Sequence, residues 1–175
     1  MPVDTSRTFT PINIAVLTIS DTRTLDDDTS GALLAGRVTG AGHNLIERAI
    51  EKDVVDRIVS RLNDWIDDRR VDCVITTGGT GLTGRDVTPE ALDRVKEKDI
   101  PGFGELFRWL SFKTIGTSTV QSRAMAVLSR GTYIFALPGS NGAVKDGWDQ
   151  ILAEQLDSRN RPCNFVELMP RLREV

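Results

Sequence analysis

Histidine and cysteine are scarce in this chain of 175 residues, which has one histidine and two cysteines. Because His43 stands alone, multi-histidine metal sites are excluded, and any metal would be held by oxygen ligands, as Mg²⁺ is. His43 itself is expected to be an ordinary turn or strand residue. Two cysteines cannot build a disulfide framework. Cys73 lies in an apolar run and is expected to be a buried small hydrophobe, whereas Cys163 lies in the tail.

Long apolar runs and a strong net charge are also missing. No run approaches the roughly 20 residues that cross a bilayer, and the N-terminal "MPVDTSRTFTP" has no signal-peptide core. A net charge of −3 argues against a broad face for nucleic acid. We therefore expect a cytoplasmic protein with no membrane or nucleic-acid partner. The length predicts a single domain, residues 1–175, with irregular segments at about 1–11 and 160–175.

Short apolar segments alternate with amphipathic ones along the chain. This alternation predicts an α/β fold with a mostly parallel sheet covered on both faces. Thr29 or Ser30 is expected to cap the first helix, and Thr88 the helix that begins at Pro89. The predicted strands are 12–20, 43–51, 71–77 and 132–139, and the predicted helices are 26–42, 52–70, one from 88 onward, one within 101–116, 118–130 and 141–159.

A glycine-rich stretch, "TTGGTGLTGRD", follows the third predicted strand and contains a literal GxGxxG. A dinucleotide fingerprint would open a helix directly, but here the residue before Pro89 disfavours the α region, so the glycines lie in an extended loop. The Gly-Lys-Ser/Thr of a P-loop is absent. Two interpretations remain, a phosphate cradle of another kind and a flexible turn.

The same loop has the parts of a phosphate site. Glycines let backbone amides point at an anion, threonine hydroxyls add donors, and the helix that starts at Pro89 adds its positive end. Asp86 would repel phosphate unless a cation such as Mg²⁺ lay between them. The alternative for Asp86 is an ion pair with Arg85 or a part in the helix cap. Three polar loops, "SDTRTLDDD", "GGTGLTGRD" and "PGSNGA", follow strands and are expected to share the carboxyl edge of the sheet.

The stretch "TTGGTGLTGRDVTPEAL" closely resembles the signature of the MogA/MoaB family of molybdenum-cofactor biosynthesis, which includes the gephyrin G domain. The segments "LTISDTRT", "PGFGELFRWLSF", "IGTSTVQSRAMA" and "FALPGSNGAVKDGWDQIL" match as well, so the resemblance covers nearly the whole chain. The tail "LDSRNRPCNF" resembles the MoaB branch. The resemblance implies a three-layer α-β-α, molybdopterin-binding fold.

The resemblance also implies an activity, the Mg²⁺- and ATP-dependent adenylylation of molybdopterin to adenylyl-molybdopterin and pyrophosphate. The alternative is a catalytically silent molybdopterin-binding paralogue or carrier in the same pathway. Some members of the MoaB branch lack an intact Arg-Asp-Val-Thr-Pro run, whereas this chain keeps it at residues 85–89, which favours the enzyme.

Site residues follow by matching motifs. Asp86 matches the family's essential aspartate and Asp53 its second acidic position, so both are expected to be catalytic and to hold the metal. Without the family, Asp53 would be only a first-turn helix acid, Ser20 and Asp21 a cap, and Arg123 a surface salt bridge. The expected substrate and phosphate contacts are Thr76, Thr77, Gly78, Gly79, Thr80, Gly81, Ser20, Asp21, Ser122, Arg123, Pro138, Gly139 and Ser140.

The segment "GFGELFRWLSFKTIG" carries more apolar side chains than one helix face can bury. Leu106, Phe107 and Leu110 are expected to face the core. Trp148 and Trp109 are expected in the core or in subunit contacts. The aromatic side chains left over are Phe103, Trp109 and Phe112. An apolar patch of that size marks an interface, and the resemblance implies a homo-oligomer, a trimer or hexamer, with a molybdenum insertase as a further partner.

Overall fold

The structure is a computed structural model that describes residues 3–174. Within that range, one sheet has the strand order β2-β1-β3-β6-β5-β4. The first four strands in this order, β2, β1, β3 and β6, run parallel. β5 is antiparallel to β6, and β4 is antiparallel to β5. The strands are β1 (Asn13–Ile19), β2 (Asn44–Glu51), β3 (Cys73–Thr77), β4 (Lys98–Asp99), β5 (Met125–Ser129) and β6 (Thr132–Leu137).

Helices cover both faces of this sheet. The fifth helix continues through a π-helical turn into the sixth, and single 3₁₀ turns follow the fourth and seventh. The helices are α1 (Thr29–Gly40), α2 (Val55–Asp67), α3 (Thr88–Val95), α4 (Pro101–Ile115), α5 (Asn141–Gly147), α6 (Ala153–Gln155) and α7 (Phe165–Leu168). The 3₁₀ turns are Gly116–Gln121 and Met169–Arg171, and the π-helical turn is Trp148–Leu152.

Two apolar clusters lie on opposite faces of the sheet. Ile75 and Phe135 belong to the cluster beneath α1, α4 and α5, whereas their neighbours Val74 and Ile134 belong to the cluster beneath α2 and α3. Since successive strand residues point to opposite faces, both faces are buried and the strands read as continuously apolar. The predicted three-layer, mostly parallel α/β fold is confirmed.

The prediction of a helix over 118–130 is wrong. Residues 116–121 form a 3₁₀ turn, and β5 follows as a buried strand between β6 and β4. A two-residue connection, Arg130-Gly131 with φ of 48° and 88°, joins β5 to β6 as tight hairpins require. Pairing with β6 therefore outweighs the local helical preference of the Met-Ala and Leu residues in this segment.

Two predicted helix caps are also wrong. Asp28, rather than Thr29 or Ser30, caps α1, and its carboxylate accepts a hydrogen bond from the Gly31 N–H at 3.0 Å. Val87 precedes α3, and the Thr88 hydroxyl instead donates to the carbonyl oxygen of Gly78 at 2.8 Å. Thr88 therefore ties the start of α3 to the glycine loop.

Helix α4 begins at Pro101, with no separate loop before it. Phe103, Phe107 and Leu110 are its buried aliphatic and aromatic side chains, so the predictions that Leu106 faces the core and that Phe103 is left over are both wrong. Spacings of four and three residues put those three on one face of the helix. The side chains left exposed form what we call the apolar patch: Leu106, Trp109, Phe112, Ile115 and Val120.

The N-terminal segment packs against the chain near residue 158, where Thr10 N–H donates to the Ser158 hydroxyl at 2.8 Å. His43 is buried between the rings of Phe9 and Trp148. Cys73 is fully buried, as predicted. Within the described range, no helix combines the length and the apolar character that crossing a membrane requires.

Candidate functional site

The loops after β1, β3 and β6 meet at the carboxyl edge of the sheet, because these three strands are adjacent and parallel. They surround a cleft of about 400 Å³, which we call the glycine-loop cleft. Most of the predicted site residues line it. Those residues are Ser20, Asp53, Gly78, Gly79, Thr80, Gly81, Asp86, Pro138 and Gly139.

The glycine loop has a backbone that other residues would strain. Gly78 and Gly79 have φ of 110° and 64°. A Cβ on Gly78 would come within 2.2 Å of the Ile19 carbonyl oxygen, and a Cβ on Gly79 within 2.4 Å of the Thr88 hydroxyl oxygen. The Gly78 N–H donates to the Leu137 carbonyl at 2.9 Å, so this amide fastens the loop to the sheet rather than facing the cleft.

Asp86 is held in its ionised form at the open side of the loop. Its Oδ2 accepts hydrogen bonds from the Thr83 N–H at 2.8 Å and the Thr83 hydroxyl at 2.7 Å. These bonds, with a contribution from the Gly81 N–H, keep the pKa of Asp86 below its ordinary value. A Cβ on Gly81 would come within 2.7 Å of Asp86 Oδ2, so the carboxylate lies directly against the loop.

Asp53 adjoins the same loop at Gly79. Its Oδ1 lies 3.0 Å from where a Cβ on Gly79 would be. Burial, and then the negative charge of Asp21 and Asp86, raises the pKa of Asp53 above its ordinary value. A cation beside Asp53 would offset the repulsion that it receives from Asp21 and Asp86.

The residues therefore suit Mg²⁺, which proteins commonly hold with one or two carboxylates while substrate phosphates complete the coordination. Asp86 of the loop and Asp53, which lies against it from the connection after β2, are the two candidate carboxylates. Across residues 3–174, no group of three or more histidine, cysteine, aspartate or glutamate side chains is placed to hold a metal ion. Substrate phosphate oxygens and water would complete the coordination of such an ion.

Two arginines that the sequence did not assign to the glycine-loop cleft also line it. They are Arg23 and Arg85. Arg23 donates to the Ser30 hydroxyl at 2.7 Å and to the Gly139 carbonyl at 3.2 Å. Arg85 donates through Nε and Nη2 to the two carboxylate oxygens of Asp21, each at 2.8 Å. Both arginines belong to polar loops that follow strands. That position in the sequence could have identified them as candidate site residues.

Arg123 lies beneath the glycine loop and does not line the cleft. Its N–H donates to the Thr80 carbonyl at 3.0 Å, its Nε to the Gly81 carbonyl at 2.8 Å and its Nη2 to the Asp86 carbonyl at 2.6 Å. Its Nη1 pairs with Glu90 of α3. Arg123 therefore connects both ends of the loop to the first turn of α3.

Three predicted residues, Ser20, Asp21 and Thr77, order the backbone around the cleft. The Ser20 hydroxyl accepts from the Thr22 and Arg23 N–H groups at 3.3 and 3.2 Å, and Asp21 accepts from the Asp53 N–H at 3.3 Å. Behind the loop, the buried Thr77 hydroxyl donates to the Pro138 carbonyl at 3.1 Å. The Thr76 hydroxyl, also buried, has no hydrogen-bond partner within the part of the chain that is described.

A second cavity, of about 320 Å³, adjoins the cleft, since Pro138 lines both. Ser122 and Ser140, both predicted site residues, line this second cavity. The Ser140 hydroxyl also caps α5 by accepting from the Ala143 N–H at 3.1 Å. Lys145 and Asp146 line the cavity as well and were not singled out in the sequence, although both lie in the quoted "NGAVKDG".

The structure has the three-layer α/β fold, with a glycine loop at the carboxyl edge of its sheet, that the resemblance to molybdopterin-binding domains implies. Residues 15–158 match the family model described as "Probable molybdopterin binding domain". The chain belongs to this family of molybdenum-cofactor biosynthesis proteins. Over 160 residues it is 48% identical to "Molybdenum cofactor biosynthesis protein B" of Escherichia coli (strain K12), an alignment that covers 91% of this chain and 94% of that protein.

Solved structures agree with this assignment. A crystal structure of molybdenum cofactor biosynthesis protein B superposes with a TM-score of 0.83 at 38% identity, covering 86% of this chain and 94% of that one. The tungsten cofactor synthesizing protein MoaB from Pyrococcus furiosus superposes with a TM-score of 0.74 at 34% identity, covering 82% and 92% of the two chains. A role in molybdenum-cofactor biosynthesis follows from these relatives.

Proposed function

We propose that this protein adenylylates molybdopterin. The terminal phosphate of molybdopterin attacks the α-phosphorus of ATP, the bond to the bridging oxygen breaks, and pyrophosphate leaves with that oxygen. The observation that carries the proposal is the glycine loop of residues 78–81 with Asp53 beside Gly79 and Asp86 beside Gly81, all lining one cleft. Reactions of this kind depend on positioning and charge neutralisation more than on covalent help from the protein.

Each part of the cleft has a role in that reaction. The glycine loop brings phosphate close to the backbone, and Arg123 keeps the loop in place from beneath. Asp86 and Asp53 would hold Mg²⁺, which neutralises phosphate charge when it is bound. A phosphate nucleophile is already ionised at neutral pH, so the scarcity of histidine is no obstacle.

The second cavity is the place we assign to the pterin ring. It adjoins the cleft at Pro138, so a ligand in it can extend its phosphate toward the glycine loop. Phe107 and Ile115 supply apolar surface, while Ser122, Lys145 and Asp146 supply polar groups. A mixed lining of this type suits a flat, hydrogen-bonding ring.

The deciding experiment incubates purified protein with molybdopterin, ATP and Mg²⁺ and measures pyrophosphate and adenylyl-molybdopterin. We expect both products in equal amounts, and neither in EDTA or without molybdopterin. A protein that binds molybdopterin yet releases no pyrophosphate would refute the enzyme and identify the silent carrier. Omitting the pterin controls for contaminating ATPases.

We also propose that the apolar patch is an interface between copies of this chain, in a trimer or a hexamer. Trp109 is 61% exposed and Val120 81% exposed, values that leave large apolar surfaces in water for a monomer. The patch belongs to α4 and the 3₁₀ turn after it, next to the second cavity that Ile115 lines. A molybdenum insertase partner and a cytoplasmic location stay predictions.

A further inference from the structure

Arg85 and Asp21 form an exposed ion pair beside the glycine-loop cleft. Arg85 lies in the loop after β3 and lines the cleft, whereas Asp21 follows β1. Asp21 also accepts the N–H of Asp53 at 3.3 Å. The pair therefore connects the three loops that carry the acidic groups of the site.

The ion pair between Arg85 and Asp21 is bidentate, with Nε and Nη2 of Arg85 each 2.8 Å from a different oxygen of Asp21. The guanidinium fork presents the same two parallel N–H groups to a phosphate as to a carboxylate. A phosphate group in the cleft can therefore take the place of Asp21 without any change in the donor geometry.

The pair is also easy to open. The side chains of Arg85 and Asp21 are 60% and 36% exposed, and ion pairs at such positions contribute little to stability. Arg23, the other arginine of the cleft, differs in this respect because its guanidinium bonds the buried Ser30 hydroxyl and the fully buried carboxylate of Asp28. Arg23 is held by these buried groups, whereas Arg85 can exchange Asp21 for another anionic partner.

We propose that Arg85 is a phosphate-binding residue whose partner changes from Asp21 in the empty cleft to a phosphate group of the nucleotide in the occupied one. The proposal rests on the proposed function for the identity of the nucleotide, but the exchange itself concerns any pyrophosphate-like anion. Asp21 acts as a competing counter-ion for Arg85, which weakens the binding of anions that lack a cation.

The test is calorimetric titration with inorganic pyrophosphate in EDTA at fixed ionic strength. Arg85→Gln is expected to weaken binding by about tenfold, as the loss of a charge-assisted pair implies. Arg85→Lys should fall between wild type and Arg85→Gln, because lysine keeps the charge but not the fork. Asp21→Asn should bind several-fold more tightly than wild type, since the competitor is gone.

Arg94→Gln is the matched control, because Arg94 forms an exposed pair with Asp56 between α3 and α2 and loses the same charge. The proposal would be overturned if the pyrophosphate affinity of Arg85→Gln lay within twofold of that of Arg94→Gln. The proposal would also be overturned if Asp21→Asn raised pyrophosphate affinity equally in wild type and in Arg85→Gln. The gain in affinity would then not depend on Arg85.

These readouts separate the two proposals. If wild type makes no adenylyl-molybdopterin but the pyrophosphate results hold, the reaction is refuted and the partner exchange stands. If wild type is active but Arg85→Gln matches Arg94→Gln, the exchange is refuted and the reaction stands. Thermal unfolding of each variant checks that the fold is intact.

Discussion

Gly79 is the position where a single substitution tests the glycine loop most directly. Its φ is 64°, and a Cβ there would come within 2.4 Å of the Thr88 hydroxyl oxygen and 3.0 Å of Asp53 Oδ1. The Thr88 hydroxyl has its own bond to the Gly78 carbonyl at 2.8 Å, so it cannot move without breaking that bond. Gly79→Val adds a β-branched side chain at this crowded position.

The expected cost has two parts. A left-handed backbone costs a residue with a Cβ about 1–2 kcal/mol, and the loss of a buried hydrogen bond costs about 1–3 kcal/mol. A combined loss of about 3 kcal/mol would lower Tm by about 6–12 °C in a protein of this size. If the loop shifts to relieve the strain, Tm falls less, but the loop loses the shape that lets phosphate approach its backbone.

The assays are thermal unfolding and pyrophosphate titration, with Gly84→Val as the matched control. A Cβ on Gly84 meets nothing within 4 Å, so that variant should match wild type in both assays. Gly79→Val should lose stability, pyrophosphate affinity and turnover. A folded Gly79→Val protein with unchanged Tm and unchanged affinity would refute the close approach and leave the loop as a simple turn.

Three further predictions concern the aspartates and the apolar patch. Asp86→Asn should lose adenylyl-molybdopterin formation, measured by chromatography, while molybdopterin affinity stays within a few-fold; wild-type turnover would remove Asp86 from the mechanism. The pKa of Asp53 is raised in the folded state, so the folded form binds its proton more tightly than the unfolded form. Asp53→Asn should therefore raise the free energy of unfolding at neutral pH, and the gain should fade as pH drops through the raised value toward the ordinary 3.8; a gain independent of pH in denaturant melts would contradict this. Trp109→Glu should dissociate the assembly in light scattering, and a monomeric wild type would refute the interface.

Much of the site was predictable because its signals are local. Continuously apolar segments identified the four parallel strands, β1, β2, β3 and β6, and parallel order placed the loops after β1, β3 and β6 at one edge. Pro89 correctly marked the first turn of α3. Gly78 and Gly79, expected in an extended loop, do adopt positive φ. These properties depend on a residue's own backbone preferences and its nearest neighbours, and a sequence records both.

The features that escaped prediction depend on partners distant in the chain. Residues 125–129 form a strand because β6 and β4 are there to pair with, and α4 buries Phe103 rather than Leu106 because packing against the sheet decides the helix face. Arg85 meets Asp21 across 64 residues, and Arg123 reaches Gly81 across 42. Charges of either sign occur throughout the polar loops, so local patterns do not specify which of them pair. Only the folded chain brings particular side chains within bonding distance.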